Sequence, residues 1–337
     1  MSSHAETFLI RNNVGLDISI PQTAEDDFPY FSLSEQAEIK RYYDDFGYVV
    51  IRKLVGDDLL DAANASFDKE ILPSNRFIYR QATGSPEKHV LTSGGYMLNS
   101  LLNPQSIDPN HYSGFRNASC ALYSSPQFQD AASVVLGGRG KIVQGMYFHG
   151  NPVTWPHQDS YYLDSEQIGS MTAAWIAAED IRPGAGRFFI YPRSHKVALE
   201  RHNLDINIGT NHDGYKRHVV DMIKSSNLEC RAPALEKGDV LFWNALTIHG
   251  SLPTTQPDFS RRSYTAHLIR DTHRFLQYQT RPLSMKFDEV NGALIARPKD
   301  QAKIQNRAVM YFETTFPKVF SAIRKTAIKV ALMKSDA

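Results

Sequence analysis

The chain has 337 residues, of which 42% are hydrophobic and 22% charged, the composition of an ordinary soluble globular protein. Its 37 Lys and Arg nearly balance its 36 Asp and Glu, so no strong net field favours nucleic acid as the main partner. Two cysteines are too few for a disulfide framework, and no apolar run is long enough to span a bilayer. Because the first residues also lack a signal-peptide pattern, we expect a cytoplasmic protein.

The first third of the chain predicts an arm, two helices and one strand. Residues 1–30 show no hydrophobic period, which indicates an irregular N-terminal arm. Helical spacing predicts a helix over Glu35–Phe46 that ends at Gly47, and β-rich Tyr48–Ile51 predicts a strand. A second helical pattern, Asp57–Leu72, closes at a proline. Residues 74–119 are rich in Gly, Ser, Asn and Pro, which is typical of a functional lid or binding segment or, alternatively, of structureless filler.

After a short predicted helix from Ser125 to Leu136, the pattern becomes one of strands separated by turn residues. The predicted strands are Lys141–Phe148, Thr172–Ile176, Arg187–Tyr191, Val240–Trp243 and Ser263–Ile269. Strands without alternating helices favour a sandwich or jelly roll, so we expect a mainly β fold with flanking helices. The polar segment Val197–Leu228 predicts a loop and helix over the barrel, and Gln301–Leu332 predicts one or two amphipathic helices packed outside. We therefore expect one domain over residues 31–337, with a jelly-roll core at about 140–275 and C-terminal helices at about 301–332.

One short motif carries two metal-capable side chains. His157 and Asp159 stand two residues apart, so in extended backbone both point to the same face. An imidazole and a carboxylate on one face need one more protein ligand to form the facial triad of non-haem Fe(II) oxygenases, which keeps open positions on the metal. The same tripeptide also fits an ordinary polar strand end, so the interpretation depends on a third ligand elsewhere in the chain.

A third ligand is available near residue 250. The apolar strand after Asp239 leads into an isolated histidine, His249, followed by the turn-forming pair Gly250–Ser251. In a jelly roll this places His249 where it can meet His157 and Asp159 across the barrel mouth.

The next strand begins with a double arginine. Alternation along the strand puts Arg261 on one face and Arg262 on the other, and the residues that share the face of Arg261 are Ser263, Thr265 and His267. A guanidinium on the interior face binds a carboxylate through two parallel hydrogen bonds. This arrangement fits a carboxylate cosubstrate.

Taken in order, these motifs resemble those of the phytanoyl-CoA dioxygenase family of Fe(II)/2-oxoglutarate oxygenases. The resemblance runs from the helix before Gly47 to the strand around His267, which leaves out only the arm and the C-terminal helices. The motifs that carry it are Gly47–Tyr48–Val49–Val50, Gln144-x-x-Tyr147, His157–Gln158–Asp159, Ala174–Trp175–Ile176–Ala177 with Glu179–Asp180–Ile181, Gly186–Lys196, Gly238–Asp239, His249–Gly250–Ser251 and Arg261.

The resemblance implies a double-stranded β-helix of the cupin-like type, with Fe(II) on His157, Asp159 and His249. It implies that 2-oxoglutarate chelates the iron through its keto-acid end, while its distal carboxylate is held by Arg261 with Ser251 close by. The residues expected to line the cosubstrate pocket are Trp175 and Gln144. Reaction with O₂ would yield succinate, CO₂ and an oxidant able to attack an unactivated C–H bond, most simply in a hydroxylation; desaturation and oxidative ring closure stay open. Because Asp159 is present, halogenation is not expected.

The chain departs from the family pattern at two places. Arg193 stands in Pro192–Arg193–Ser194–His195 where glycine is frequent, and His149–Gly150–Asn151 stands where many members carry a lysine. Arg193 puts a cation near the expected entrance of the active site. The contacts that His149–Gly150–Asn151 makes with cosubstrate or substrate stay open.

The substrate is expected to be a small polar molecule, carboxylated or amino-acid-like, in place of an acyl-CoA. The candidate pocket residues are Tyr161, Tyr162, His149, Arg193 and Asn99, which offer hydrogen bonds and a cation. An acyl-CoA stays an alternative, because a cationic entrance also attracts CoA phosphates. Two alternatives from other classes are a non-catalytic jelly-roll binding protein and a zinc hydrolase. The sequence gives no indication of oligomeric state.

Overall fold

The structure is a computed structural model that describes residues 7–27, 29–197, 211–278 and 282–323. Its α-helices are α1 (Gln36–Phe46), α2 (Asp57–Ser66), α3 (Pro109–Tyr123), α4 (Pro126–Leu136), α5 (His212–Ser225) and α6 (Ile304–Thr315). Its strands are β1 (Thr7–Arg11), β2 (Asp17–Pro21), β3 (Tyr48–Ile51), β4 (Ile78–Tyr79), β5 (Pro86–Glu87), β6 (Leu101–Leu102), β7 (Gly140–Phe148), β8 (Leu163–Ser165), β9 (Thr172–Ala177), β10 (Phe188–Ile190), β11 (Val240–Asn244), β12 (His249–Ser251), β13 (Ser263–Arg270), β14 (Phe275–Gln277), β15 (Pro282–Leu283), β16 (Phe287–Val290) and β17 (Ala293–Ala296).

An eight-stranded sheet is the largest element of the fold. Its strand order is β16-β17-β7-β13-β9-β11-β3, with β6 paired to β7 at one end. One face of this sheet packs on the helices: Phe115 of α3 meets Tyr147 edge to face, and Phe128 of α4 stacks on Phe242. Because side chains alternate along each strand, the neighbouring residues of the same strands must point to the other face.

That other face lines the interior of a jelly roll. It is covered by the small sheet of β10 and β12, so that Phe188 of β10 packs against Trp175 and Trp243 of the large sheet. The interior positions of the large sheet follow from its register and include Gln144, Met146, Phe148, Ala173, Trp175, Leu241, Trp243, Ser263, Thr265 and His267. The expected mainly β jelly roll with flanking helices is confirmed, and Arg262 faces away from the interior, as predicted.

The N-terminal arm is not irregular, and that prediction was wrong. Strands β1 and β2 pair as an antiparallel hairpin. The hairpin is fastened to the barrel because the buried Arg187 donates to the carbonyls of Pro21 and Gln22, and Asn13 Nδ2 donates to the carbonyl of Ser251 at 2.9 Å. These contacts join the hairpin to segments far away in sequence, so the local sequence gave no sign of them.

The segment 74–119 is also more ordered than expected, since helix α3 begins within it. Asp108 accepts from the N–H of Asn110 at the start of α3, where Pro109 occupies the first turn. Glu70 accepts from the N–H groups of Gly114 and Phe115, which supports the helix where Gly114 would weaken it. The Asp-Pro start signal was present in the sequence but was obscured by the surrounding turn residues.

The remaining predicted elements lie close to the expected bounds. Helix α5 lies within the predicted cover segment, whose residues 198–210 are outside the described part of the chain. Helix α6 lies within the predicted C-terminal region, whose residues 324–337 are likewise outside it. Among the residues that the structure describes, no helix has the length and apolar character required to cross a membrane.

Candidate metal centre and cosubstrate pocket

Backbone pairing brings the two candidate histidines together. His157 and His249 form an antiparallel bridge in which each N–H donates to the other residue's carbonyl at 3.0 Å. Asp159 follows two residues later, at the start of a short 3-10 turn, Asp159–Tyr161. The jelly-roll topology therefore brings His249 next to Asp159, although the two residues are 90 positions apart in sequence.

The three side chains converge on one point. Asp159 Oδ1 lies 3.5 Å from His157 Nε2 and 3.5 Å from His249 Nε2, and the three ligand atoms all lie within 4.8 Å of one another. Ligands bound at about 2.0–2.2 Å to one ion lie roughly 3–4 Å apart, so this spacing fits a shared metal. The structure brings together all three predicted metal ligands.

Both imidazoles are held in the tautomer that a metal requires. His157 Nδ1 lies 2.9 Å from the carbonyl of Trp155, and His249 Nδ1 lies 3.0 Å from the carbonyl of Thr247. A carbonyl only accepts, so each Nδ1 carries the hydrogen and each Nε2 presents a lone pair toward the shared point. This outer support is typical of metal-binding histidines.

The second oxygen of Asp159 has partners that the sequence did not reveal. Trp243 Nε1 donates to Asp159 Oδ2 at 2.9 Å, and His267 Nε2 lies 3.4 Å from the same oxygen. All three side chains are buried. Oδ1 is thereby left to face the histidines. The only sequence signal was that His267 shares a strand face with Arg261.

The electrostatics favour the ligating forms of Asp159 and His157. Burial alone would raise the pKa of Asp159, but the imidazoles of His249 and His267 and hydrogen bonds outweigh burial and hold that pKa well below its usual range. Burial, and then the nearby His249, lowers the pKa of His157. A carboxylate and neutral imidazoles are the forms that bind a divalent metal.

Arg261 is a buried cation without an acidic partner. Its side chain is 2% exposed, and no Asp or Glu within the described ranges forms an ion pair with it. Nη1 donates to the Asn151 side-chain oxygen at 3.1 Å and to the Gly186 carbonyl at 2.9 Å, while Nε has no hydrogen-bond partner among the described residues. Burial lowers the pKa of Arg261 to about 9. An incoming carboxylate would compensate this desolvated charge.

The surroundings of Arg261 add a second unpartnered donor. The guanidinium carbon lies 5.2 Å from the ring centre of Phe148 and 5.7 Å from that of Trp175, and the buried Trp175 Nε1 has no partner in the described part of the chain. Asn151 is a residue that sequence reasoning missed: it belongs to the segment that departs from the family pattern, and its amide orients Arg261. The two buried donors, Arg261 Nε and Trp175 Nε1, indicate that a ligand with hydrogen-bond acceptors binds beside them in the barrel interior.

The two other predicted cosubstrate residues lie on the interior walls. Gln144 stands opposite His267 in the register of β7 and β13, and it is half-buried. Ser251 is buried on β12, where its Oγ accepts from the N–H of Thr154 at 2.7 Å and keeps its own O–H to donate. Their roles remain predictions.

Of the predicted substrate residues, Tyr162 lies beside the metal ligands. Its ring centre is 5.8 Å from that of His157, and its hydroxyl lies 3.0 Å from Nε2 of His212 on α5. Trp155 adds a ring 5.5 Å from His157 and 5.3 Å from His212. Tyr161 is instead buried against Tyr215, with ring centres 4.1 Å apart.

The other three predicted substrate residues have structural partners. His149 is buried, accepts from the N–H of Met97 at 3.2 Å, and has its pKa lowered to about 4 by burial and then by Arg262. Asn99 Nδ2 donates to the carbonyl of Lys88 at 2.7 Å and also to Glu87, within its own loop.

Arg193 preserves the turn where the family often has glycine. Its φ is +66°, and its guanidinium pairs with Asp45 at 2.8 Å and stacks over Phe46 at the end of α1. The left-handed backbone costs an arginine roughly 1–2 kcal/mol, which these contacts offset in part. The cation expected at the entrance is therefore engaged with α1.

Comparison with known proteins identifies this arrangement. The family model of phytanoyl-CoA dioxygenase (PhyH) matches residues 43–263, which include the triad and Arg261. The chain belongs to this family.

Its relatives are distant. The mouse (Mus musculus) phytanoyl-CoA dioxygenase domain-containing protein 1 is 30% identical over 38% of this chain and 44% of its own length. The mouse peroxisomal phytanoyl-CoA dioxygenase is 24% identical over 64% of this chain and 62% of its own. The chain thus matches about half of the length of these curated relatives.

A solved structure supports the fold. The non-haem alpha-ketoglutarate-dependent carbocyclase SnoK from nogalamycin biosynthesis superposes with a TM-score of 0.55 at 17% identity, covering 74% of this chain and 89% of that one. Because the two sequences are only 17% identical, this similarity supports the fold and not a shared reaction.

Proposed function

We propose that this protein is an Fe(II)- and 2-oxoglutarate-dependent dioxygenase that oxidises an unactivated C–H bond of a small polar molecule, most simply by hydroxylation, with release of succinate and CO₂. The observation that carries the proposal is a complete His-Asp-His donor set in the same jelly-roll interior as a buried arginine without an acidic partner among the described residues. A zinc hydrolase needs a donor set, but it has no need of such an arginine.

The donor set fits iron. Two neutral imidazoles and one carboxylate are the facial triad of non-haem Fe(II) oxygenases, in which the metal keeps three positions for the cosubstrate and O₂. When bound, the iron would supply the activation of O₂ coupled to decarboxylation of 2-oxoglutarate. The residues that would hold it are His157, Asp159 and His249.

The other interior residues would position 2-oxoglutarate and shield the metal centre from water. Arg261 would hold the distal carboxylate of 2-oxoglutarate through two donors, and Trp175 Nε1 offers a third donor on the same wall. Ser251 lies on the covering sheet with an O–H available. The buried rings of Phe188 and Trp243 lie 5.4 and 4.8 Å from His249 and exclude water from that side of the centre.

The mouth beside His157 supports a polar substrate. Trp155, Tyr162 and His212 are half-buried there and offer aromatic faces together with hydrogen-bonding groups. A long acyl chain would need a continuous aliphatic trench. The acyl-CoA named in the family description is therefore the second candidate.

The test is a coupled oxygenation assay. Purified protein is reconstituted with Fe(II) under 2-oxoglutarate and O₂, and offered two panels, acyl-CoA thioesters and small amino or carboxylic acids, while succinate and the mass of each candidate are followed. We expect succinate together with a gain of one oxygen atom in a member of the second panel. A loss of two hydrogens would indicate desaturation or ring closure by the same centre, and turnover confined to acyl-CoA would overturn the substrate class. The His249→Ala variant is the control, and equal succinate from it would overturn the proposal.

A further inference from the structure

The metal centre opens on the side of His157. The side chain of His157 is 13% exposed, whereas those of Asp159 and His249 are 7% and 5% exposed. The half-buried rings of Trp155 and Tyr162 lie on this open side, with their centres 5.5 and 5.8 Å from that of His157. A molecule that approaches the metal centre from this side therefore passes beside these two rings.

One face of helix α5 is docked against this mouth. His212, Tyr215 and Lys216 are spaced by three and four residues, which puts them on the same face of the helix. The rings of His212 and Tyr215 meet the ring of Trp155 edge to face, at centre-to-centre distances of 5.3 and 5.5 Å. The Tyr215 hydroxyl also accepts from the backbone N–H of Gln158 at 3.0 Å, inside the metal motif. These contacts fix α5 relative to the metal ligands.

The docked helix holds a cation beside the mouth. The Lys216 ammonium lies 5.2 Å from the centre of the Trp155 ring, and the centre of the His157 ring lies 5.5 Å from the same point. Within the described part of the chain, the one ion-pair contact of Lys216 is with Asp213 at 3.9 Å, and the Asp213 side chain is 83% exposed. A long pair that is open to water contributes little, so the charge of Lys216 stays available to a ligand.

We propose that Lys216 determines substrate specificity by binding a carboxylate of the substrate, while the Trp155 ring packs against the body of the same molecule. An ammonium recognises a carboxylate through a charge-assisted hydrogen bond. This inference rests on the proposed function, because it takes the substrate to be oxidised at the metal centre.

The geometry narrows the class of substrate. Lys216 and His157 contact the same Trp155 ring, so the carboxylate and the oxidised carbon belong to one small molecule and lie close together in it. In an acyl-CoA the pantetheine arm instead keeps the phosphates far from the acyl carbons. The substrate class is therefore small carboxylic acids.

The test is ligand-observed NMR, under argon, with the full-length protein in excess over Mn(II) and saturated with 2-oxoglutarate. No turnover occurs without O₂, and Mn(II) broadens the proton signals of molecules that bind close to it. The probes are 3-phenylpropionate and cyclohexanecarboxylate, each compared with its primary amide. We expect both acids to be broadened at concentrations at which the amide signals stay sharp.

Three variants separate recognition of the carboxylate from packing. Lys216→Gln should weaken binding of the acids by about tenfold or more, because it removes a charge-assisted hydrogen bond. The weaker binding of the amides, measured at higher concentration, should not change, whereas a merely structural Lys216 would affect acids and amides alike. Lys216→Arg keeps the charge and should keep the preference for acids. Arg217→Gln is the matched control, since it removes the same charge from the next, exposed position of α5 and should leave binding unchanged.

The signals of 2-oxoglutarate in the same sample separate the two proposals. Sharp signals from both acids, equal broadening of acids and amides, or equal losses from Lys216→Gln and Arg217→Gln would overturn the role of Lys216. If 2-oxoglutarate is still broadened in that experiment, the proposed function stands. Absence of broadening for 2-oxoglutarate would instead contradict the proposed function, and the role of Lys216 with it.

Discussion

The two oxygens of Asp159 face different partners, and this division orients the metal centre. Oδ1 points to the two histidines, while Oδ2 accepts from the indole N–H of Trp243 and lies beside His267. A buried carboxylate oxygen without a donor costs about 1–3 kcal/mol, so Trp243 both stabilises the carboxylate and fixes its rotation. We therefore regard Trp243 as a positioning residue.

We expect Trp243→Phe to weaken metal binding by about tenfold or more while the fold survives. Phenylalanine keeps a ring against Phe188 and His249 but removes the N–H that holds Oδ2. The measurement is the dissociation constant for Mn(II) by calorimetry, with thermal unfolding alongside. Trp175→Phe is the matched control: its indole N–H is buried but has no partner within the described ranges, so metal affinity should be unchanged. Equal affinities for both variants would contradict the role of Trp243.

The double arginine offers a second internal contrast. Arg261 is buried in the interior, whereas Arg262 pairs with the half-exposed Asp68 at 2.8 Å on the outer face. An exposed pair contributes about 0–1 kcal/mol, but loss of a buried charge-assisted pair costs about 2–5 kcal/mol.

Accordingly, Arg261→Lys should weaken 2-oxoglutarate binding to the metal-loaded protein by at least about 30-fold, and Arg262→Lys by about threefold or less. Lysine keeps the charge but loses the planar fork. The readout is a binding titration, which separates cosubstrate affinity from turnover. A larger loss for Arg262→Lys would mean that the other arginine holds the carboxylate.

At this scale the sequence predicted the residues whose identity and order are themselves the signal. The structure brings His157, Asp159 and His249 together and buries Arg261 in the interior, as the sequence led us to expect, while their roles stay predictions. Trp243, His267 and Asn151 were missed, because their importance arises only from partners about 80 to 110 positions away in the chain. Side chains in regular strands give no local sign of such contacts.

Among the elements, the junction between α1 and β3 shows how tightly the barrel wall is built. Gly47 adopts φ +78°, and a Cβ there would lie 2.3 Å from His195 Nδ1 and 2.4 Å from Thr247 Oγ1. Its carbonyl also accepts from Thr247 Oγ1 at 2.8 Å. The turn therefore ties α1 to the loop that precedes His249.

Gly47→Ala should destabilise the protein more than Gly292→Ala does. Gly292 has nearly the same φ, +81°, but a Cβ there meets nothing within 4 Å, so the backbone penalty of about 1–2 kcal/mol is common to both. The clash at Gly47 adds about 1–3 kcal/mol. Urea unfolding of the two variants measures the difference. Equal midpoints would show that His195 and Thr247 move aside for the added methyl group without loss of stability.

Elements with strong local patterns were predicted well, and those defined by distant contacts were not. Strand Tyr48–Ile51 was predicted with its observed bounds, and α1, α4 and the central strands to within one or two residues. The hairpin β1–β2 and helix α3 were missed, since Arg187 holds the first and Glu70 supports the second. Tertiary contacts overrode weak local propensity in both cases.

At the scale of the whole molecule, the jelly roll and the C-terminal region differ in what they bury and what they expose. The jelly roll buries the His157–Asp159–His249 cluster and Arg261. The cluster could hold a metal ion, and Arg261 has a positive charge that a bound carboxylate could compensate. Helix α6 and the residues up to 323 instead expose apolar side chains, among them Ile304, Tyr311 and Ile323. The division into arm, domain and tail was predicted from composition, and it stays a prediction.

The central claim is that metal and 2-oxoglutarate share one site. The most direct measurement is an anaerobic calorimetric titration of 2-oxoglutarate into the wild-type protein, once loaded with Fe(II) and once metal-free. We predict saturable binding of one 2-oxoglutarate per chain to the Fe(II) form, and binding to the metal-free form at least about tenfold weaker, since a ligand that chelates the metal loses those bonds when the metal is absent. Equal affinity with and without Fe(II), or no binding to the Fe(II) form, would contradict the account.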